Sequence, residues 1–303
     1  MAKVLILGGN GFIGRNLAYT LLEHGHKVYS FDLNRPVNPT NGICYMAGDF
    51  FDDYVLQNII GGMDIIYHAI CTINPGNSNN KYIVGYERDL IQTIKLCDLL
   101  KGTNTKLIFL SSGGTVYGKQ TELPVTEDSL PSPINHYGNL KLCIENTMRV
   151  FGYQNDMNIV IARIANPYGP GQDYRKGVGF IDAVVKRAMN GETVEVWGEG
   201  NVVRDYVYIT DVCEALVTLG EKEVPYDVIN ISSGRGVSQK EILDAIRRHY
   251  PDMKVEYQKA RSVDADQIYL SNQRLMEIQK KTMILVEEGI ERYYQYLTEQ
   301  EEN

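Results

Sequence analysis

Residues 8–14, Gly-Gly-Asn-Gly-Phe-Ile-Gly, constrain this chain more than any other segment. They follow the apolar run Val4–Leu7 directly and open a stretch from Ile13 to Glu23 with helical periodicity. Glycines at 8, 11 and 14 allow a tight turn, close approach of an anion to the backbone, and close packing of the helix on the strand. A turn of this kind is predicted to seat a pyrophosphate on the free N–H groups and positive dipole end of the helix, with Gly8, Gly11, Phe12, Ile13 and Gly14 as contacts. Gly25 is a left-handed cap for the end of that helix. A glycine triplet alone is a weak signal, since glycine-rich turns are common. Asp32 strengthens it, because it ends the second strand-like run, 24 residues after Gly8. A carboxylate there accepts the adenosine ribose hydroxyls, which favours NAD. Arg35 nearby keeps the 2′-phosphorylated form, NADP, as the alternative. Gly48-Asp49-Phe50, after the third run, suits an adenine contact through Asp49 and Phe50.

Short runs rich in β-branched and aromatic residues recur at Val28–Phe31, Ile43–Tyr45, Ile65–His68, Leu107–Leu110 and Ile159–Ala162. Helix-period segments such as Arg88 to Leu100 lie between them. The alternation predicts an α/β fold, a Rossmann-type doubly wound parallel sheet with a smaller C-terminal α/β substrate-binding domain. The first domain is expected over 1–166 with a return segment near 203–220, and the second over 167–303. After Asn166 the pattern loosens through Pro167-Tyr168-Gly169-Pro170-Gly171, followed by a helix from Phe180 to Met189. The acidic end, Glu299 to Asn303, is expected to fray in solvent.

At 303 residues the chain has room for both parts. A net charge of −8 excludes a general nucleic-acid binder, which carries a basic face. No apolar stretch reaches about 20 residues, so no membrane span is expected. The cysteines at 44, 71, 97, 143 and 213 form neither a disulfide framework nor a metal-ligand spacing, so no metal is expected and the cytoplasm is the natural setting.

Tyr137 and Lys141 stand four residues apart in a segment that can run as a helix from beyond Pro133 to Val150, which puts them on one face. The lysine ammonium and a positively charged nicotinamide would together lower the tyrosine pKa towards neutrality. Such a tyrosine can take a proton from a hydroxyl while hydride leaves for the nicotinamide. Pairs at this spacing also occur on solvated helices, but here Ser111 and Ser112 end a preceding strand downstream of the dinucleotide turn.

These segments together resemble the extended short-chain dehydrogenase/reductase family, in particular its UDP-glucose 4-epimerase-like nucleotide-sugar epimerases and dehydratases. The likeness runs from Gly8 to Asp264. It includes Ser111-Ser112-Gly113-Gly114-Thr115-Val116-Tyr117-Gly118, the Tyr137/Lys141 pair, Arg163-Ile164-Ala165-Asn166-Pro167-Tyr168-Gly169-Pro170-Gly171, Trp197-Gly198-Glu199-Gly200 and Arg204-Asp205-Tyr206-Val207-Tyr208. The resemblance implies that His68, Ala69, Ile70, Ser111, Ser112 and Ile164 join Tyr137 and Lys141 around NAD. It also implies that Asn166 holds a phosphate oxygen and that Arg204 and Arg261 neutralise the diphosphate, a task to which planar guanidinium forks are suited. Phe180 and the strand Glu195-Val196-Trp197 would frame the uracil, and Asp264 would take its ribose. Two of these carry a plainer reading: Trp197 as core and Arg261 as a surface charge. Ile268, four residues after Asp264, would line the sugar pocket beside C2 and admit N-acetyl sugars, or else simply pack in the core. A homodimer through two helices is the family habit.

One position departs from the pattern. Most family members carry serine or threonine where this chain has Gly113, and that hydroxyl bridges substrate and tyrosine. Thr115 is assigned the role here. The expected activity is NAD-dependent 4-epimerisation of a nucleotide sugar through a transient 4-keto sugar. A ketosugar reductase or dehydratase is the alternative, although dehydratases place Asp-Glu where this chain has Gly114-Thr115. A regulatory dinucleotide-binding protein with weakened catalysis is the third reading, resting on Gly113 alone.

Overall fold

Val4–Leu7 reads as uninterrupted apolar sequence because both faces of the strand are covered. Alternate residues point opposite ways: Val4 and Ile6 enter one core cluster, Leu5 and Leu7 the other. A computed structural model describes residues 1–259 and 267–301. Its central sheet has seven strands, β1 (Lys3–Leu7), β2 (Lys27–Asp32), β3 (Ile43–Ala47), β4 (Ile65–His68), β5 (Lys106–Ser112), β6 (Ile159–Ile164) and β7 (Val228–Ile231). They run in the order β7-β6-β5-β4-β1-β2-β3, and every neighbouring pair is parallel. All six runs expected from the sequence are strands of this sheet, and the doubly wound fold is as expected.

Helices α1 (Phe12–Glu23), α2 (Asp53–Ile59), α3 (Ser78–Val84), α4 (Ile91–Leu100), α5 (Gly113–Val116) and α6 (His136–Asn155) lie in the first half. They are followed by α7 (Phe180–Met189), α8 (Ile209–Glu221), α9 (Gln239–Arg247), α10 (Gln273–Gln279) and α11 (Val286–Glu301). Leu17, Ala18 and Leu21 of α1 join Val212, Ala215, Leu216 and Leu219 of α8 on one face of the sheet. Leu96 and Leu100 of α4 and Leu140, Ile144 and Met148 of α6 cover the other. Each such fully buried aliphatic side chain contributes roughly 1.5–3 kcal/mol. Gly25 ends α1 at φ +79° with no atom near the place a Cβ would take, so the backbone angle alone calls for glycine.

The sequence pattern places one helix from Arg88 to Leu100. Instead Gly85–Leu90 forms a π-helical turn that leads into α4. Gly85 lets this turn press on α6: a Cβ there would lie 2.8 Å from a Leu140 methyl and 2.7 Å from Ile73. At the acidic end, Glu299 and Gln300 continue α11 to Glu301, and residues 302–303 lie outside the described residues.

A third cluster forms around Tyr168, Ile181, Val184, Val196, Ile246 and Tyr293, drawn from α7, α9, α11 and the strand Val194–Trp197. The chain returns from this part to the sheet through Tyr206–Tyr208, which pairs with Asn166–Tyr168, then through α8 and β7. Among the described residues no helix is long and apolar enough to cross a membrane.

Candidate active site

In an open parallel sheet, ligands bind beyond the carboxyl ends of the strands, where the strand order reverses. Here β1 lies between β2 and β4, and the glycine turn leaves β1 at that point. A Cβ on Gly14 would lie 2.2 Å from the Gly8 carbonyl oxygen and 2.9 Å from Gly9 Cα, so only glycine lets α1 start this close to the turn. Gly11 is the N-cap, and no side chain caps the helix. The first N–H groups of α1 are therefore not taken by a side-chain cap, which suits an anion. Asp32 stands beside the turn at the end of β2. One of its oxygens accepts Asn10 N–H at 2.9 Å, the other Leu33 N–H at 2.8 Å, which fixes the carboxylate. Gly8 approaches the backbone of Ala69 and Ile70 to 3.3 Å, as measured to a Cβ built upon it. Phe12 and Asn16 meet the segment beyond Asn166, with Asn16 donating to the Pro170 carbonyl at 3.0 Å. The turn, Asp32 and residues 69–70 thus form a cradle that fits a dinucleotide.

The other expected cofactor residues differ from one another in setting. Phe50 is buried against Phe51 and His68, while Asp49 lies 3.6 Å from Arg88 at the surface. His68 turns beneath the loop, with Nε2 2.9 Å from Thr93 Oγ1. Burial pushes its pKa down to about 3, so it is neutral. Ile164 is core, and Ser111 donates to Glu145.

Helix α6 carries Tyr137 and Lys141. Asn135 caps it by accepting Gly138 N–H at 2.8 Å. Lys141 is 2% exposed. Its Nζ donates to the Leu110 carbonyl at 2.9 Å and lies 4.5 Å from the centre of the Phe109 ring and 5.7 Å from that of Tyr137. A Cβ on Gly138 would fall 2.2 Å from the Thr115 carbonyl oxygen, so this glycine lets α6 and α5 touch. Tyr137, Lys141 and the Thr115 turn are thereby gathered at the carboxyl end of β5. The expected pKa is corrected in one respect. In the chain by itself burial pushes the Tyr137 hydroxyl up, and Cys71 and Asp89 push the same way. Any lowering therefore depends on a bound cation.

Gly113 has a packing reason. A Cβ on it would lie 2.3 Å from a Leu270 methyl, so serine or threonine does not fit without moving Leu270. Two residues on, the Thr115 Oγ1 is sealed from solvent with no hydrogen-bond partner. Two outcomes follow. Thr115→Val should leave thermal stability unchanged or higher, because it removes an unsatisfied polar atom, while kcat falls about tenfold or more. Gly113→Ser should destabilise by about 1–3 kcal/mol through overpacking and leave turnover no higher. Melting curves beside kcat measurements check both, and a Thr115→Val enzyme with full turnover would remove that hydroxyl from the reaction.

On the far side, Asn166 donates through its side chain to the Asp205 carbonyl at 2.7 Å. Pairing of Tyr206 with Asn166 brings Arg204 to the same region. Glu195 and Trp197 lie on one exposed face of a two-stranded ribbon with Val255–Gln258, and Trp197 is 41% exposed, against the core reading. Phe180 begins α7, half-buried against the third cluster. Ile268 is paired in register with Arg204 but is only 3% exposed within the main core cluster, so its side chain offers a sugar little surface. Arg261 and Asp264 lie outside the described residues.

Sequence reasoning overlooked a polar network beneath the site. Glu145 accepts Arg163 Nη2 at 2.6 Å and the Ser111 hydroxyl, and the Arg163 guanidinium lies 4.6 Å from the centre of the Tyr117 ring. The available signal was spacing: Glu145 follows Lys141 by four residues, as Lys141 follows Tyr137.

The family model for the NAD dependent epimerase/dehydratase family matches residues 4–232. The chain belongs to this family. A UDP-glucose 4-epimerase of Thermotoga maritima solved with UDP-glucose superposes with a TM-score of 0.91 at 26% identity, covering 98% of this chain and 99% of that one. A Thermus thermophilus UDP-glucose 4-epimerase in complex with NAD gives 0.89 at 25% identity, with the same coverage. A dTDP-4-dehydro-6-deoxyglucose reductase of Escherichia coli is 27% identical over 306 residues, 95% of each chain. Family membership makes NAD the cofactor that the cradle around Gly8–Gly14 and Asp32 would hold.

Proposed function

We propose that this family member is a nucleotide-sugar 4-epimerase acting on a UDP-hexose, in its plain or N-acetyl form. The observation that carries the reading is Tyr137 and Lys141 gathered with the unpartnered Thr115 hydroxyl at the carboxyl end of β5, beside the dinucleotide cradle. Bound NAD supplies a hydride acceptor and donor. Tyr137 takes the proton from the C4 hydroxyl as hydride leaves, and returns it once the 4-keto sugar has turned over. Lys141 favours the tyrosinate, and Thr115 donates to the sugar oxygen. Arg204 and Asn166, with Arg261, hold the diphosphate, while Trp197, Glu195 and Phe180 frame the base and Asp264 its ribose. Residues 1–166, with a return segment near 203–220 that leads into β7, form the cofactor domain, and the rest of 167–303 the nucleotide-sugar domain.

Incubation with UDP-glucose, UDP-galactose and their N-acetyl forms, with no cofactor added, tests the reading. C4 epimers should interconvert without net change in nicotinamide. Product formed only with stoichiometric consumption of added NADH or NADPH would make the enzyme a reductase, the activity of the Escherichia coli relative. Loss of water is disfavoured, since Gly114-Thr115 offers no titratable group for elimination. NAD is expected to bind at least about tenfold tighter than NADP, because a 2′-phosphate beside the Asp32 carboxylate costs several kcal/mol. Calorimetry showing equal affinities would shift attention to Arg35.

A homodimer through neighbouring helices is supported by exposed apolar side chains, Ile83 and Val84 on α3, Ile91 on α4 and Val150 on α6. The free cysteines suit a reducing cytoplasm.

A further inference from the structure

Arg204 lies in the two-residue strand Val203–Arg204, the middle strand of a small three-stranded sheet. Val237 is its antiparallel partner in register on one side, and Ile268 its parallel partner on the other. A strand this short makes few ladder bonds, so its position depends on what holds its neighbours.

The next residue, Asp205, supplies that hold. It is 1% exposed. Its Oδ1 accepts the Ser233 N–H at 2.8 Å and the Ser233 hydroxyl at 2.7 Å, in the chain just before Val237. Its Oδ2 accepts the Leu270 N–H at 3.2 Å, just beyond Ile268. One carboxylate thus fastens the chain ahead of one flanking strand and behind the other. Burial pushes this carboxyl up to about 6, and its donors oppose the rise, so it is ionised at neutral pH. Arg235 nearby pairs instead with Glu241 and Glu287, each at 3.5 Å.

The main chain of the same residue reaches Asn166. The Asp205 carbonyl accepts both the Asn166 N–H at 3.0 Å and the Asn166 side-chain amide at 2.7 Å. A primary amide nitrogen carries two hydrogens. One is spent on this carbonyl, which fixes the amide plane and sets where the second points.

We propose that Asp205 is a positioning residue for the diphosphate: its carboxylate locks the strands on either side of Arg204, and its carbonyl orients the Asn166 amide, so that both donors meet one pyrophosphate. The inference rests on Arg204 and Asn166 being the diphosphate contacts of the proposed function. Asp205 acts through these two residues, since a carboxylate has no hydrogen to offer a phosphate.

Calorimetry with UDP at saturating NAD tests the proposal on Asp205→Asn. Asparagine keeps the size and the main-chain carbonyl but sets an amide NH2 against one of the N–H donors. The Kd for UDP should rise about tenfold or more, the weight of a hydrogen bond to a charged group. The Kd for NAD, a more distant ligand, should stay within about twofold. In an Arg204→Gln background the same substitution should cost about threefold or less, because a group it positions is gone. A merely structural role would weaken both ligands together and add in full to the loss from Arg204→Gln. Unchanged UDP affinity, an equal loss for NAD, or full additivity overturns the proposal. Should Asp205→Asn not fold, Ser233→Ala removes one donor and should raise the UDP Kd about threefold. An unchanged value there overturns the proposal equally. Protein that binds UDP but turns over no UDP-sugar would end the epimerase reading and leave this one standing, whereas wild-type protein with no affinity for UDP would end this one.

Discussion

Replacing Tyr137 with phenylalanine is expected to lower kcat at least about a hundredfold, roughly 2.7 kcal/mol of transition-state stabilisation. NAD affinity and melting temperature should change little. The ring packs beside the core cluster of α4 and α6, and phenylalanine keeps that contact. What is lost is one hydroxyl at the carboxyl end of β5. Lys141 then has no tyrosinate to support, and Thr115 no partner across the sugar oxygen. The check is kcat at saturating substrate, with calorimetry for NAD and a thermal melt. A variant with most of its turnover would take Tyr137 out of the mechanism.

The largest stability effect is expected one helical turn beyond Lys141. Glu145 is 1% exposed and Arg163 4%. Arg163 Nη2 donates to Glu145 Oε2 at 2.6 Å, and Nε is shared between both carboxylate oxygens, 3.1 Å from Oε2 and 3.2 Å from Oε1. Glu145→Ala would strand a buried guanidinium and leave the Ser111 hydroxyl without its acceptor. That should cost about 3–5 kcal/mol. Replacing both residues with methionine should recover much of the loss, because no unpaired charge remains. Urea midpoints at constant slope measure both variants. A single variant that loses less than about 1 kcal/mol would show that Arg163 finds water or another partner. The pair also ties β5, β6 and α6 together directly below Lys141, so the stable double variant is expected to lose some turnover through misplacement of that lysine.

How much of this was legible beforehand depended on how local the cause was. Six of the seven strands of the sheet could be read because burial on both faces demands unbroken apolar runs, as in Val4–Leu7 and Leu107–Leu110; the edge strand Val228–Ile231 could not. The end of α1 could be read because Gly25 is a local conformational need. Tyr137 and Lys141 could be paired because helical spacing is a property of the backbone alone. The cofactor turn, the carboxylate at Asp32 and the family itself were equally within the sequence.

Other features depend on residues far apart in the chain. That Gly113 excludes a hydroxyl is decided by Leu270, 157 residues away, whose methyl occupies the space a Cβ needs. That Thr115 has a buried, unpartnered hydroxyl and a backbone carbonyl pressed against Gly138 of α6 is likewise a product of the packing. The π turn at Gly85–Leu90 breaks a pattern that reads as plain helix, because contact with Leu140 and Ile73 outweighs local periodicity. The direction in which Tyr137 is shifted could not be read from its spacing to Lys141. It follows first from burial, and then from Cys71 and Asp89, which other segments of the chain supply. Sequence by itself determined six of the seven strands, the glycine turn and the Tyr137/Lys141 pairing, since backbone geometry and periodic burial act over a few residues. Tertiary structure decided the charge environment and the packing around that pair, because electrostatics and excluded volume act between whatever groups the fold brings close.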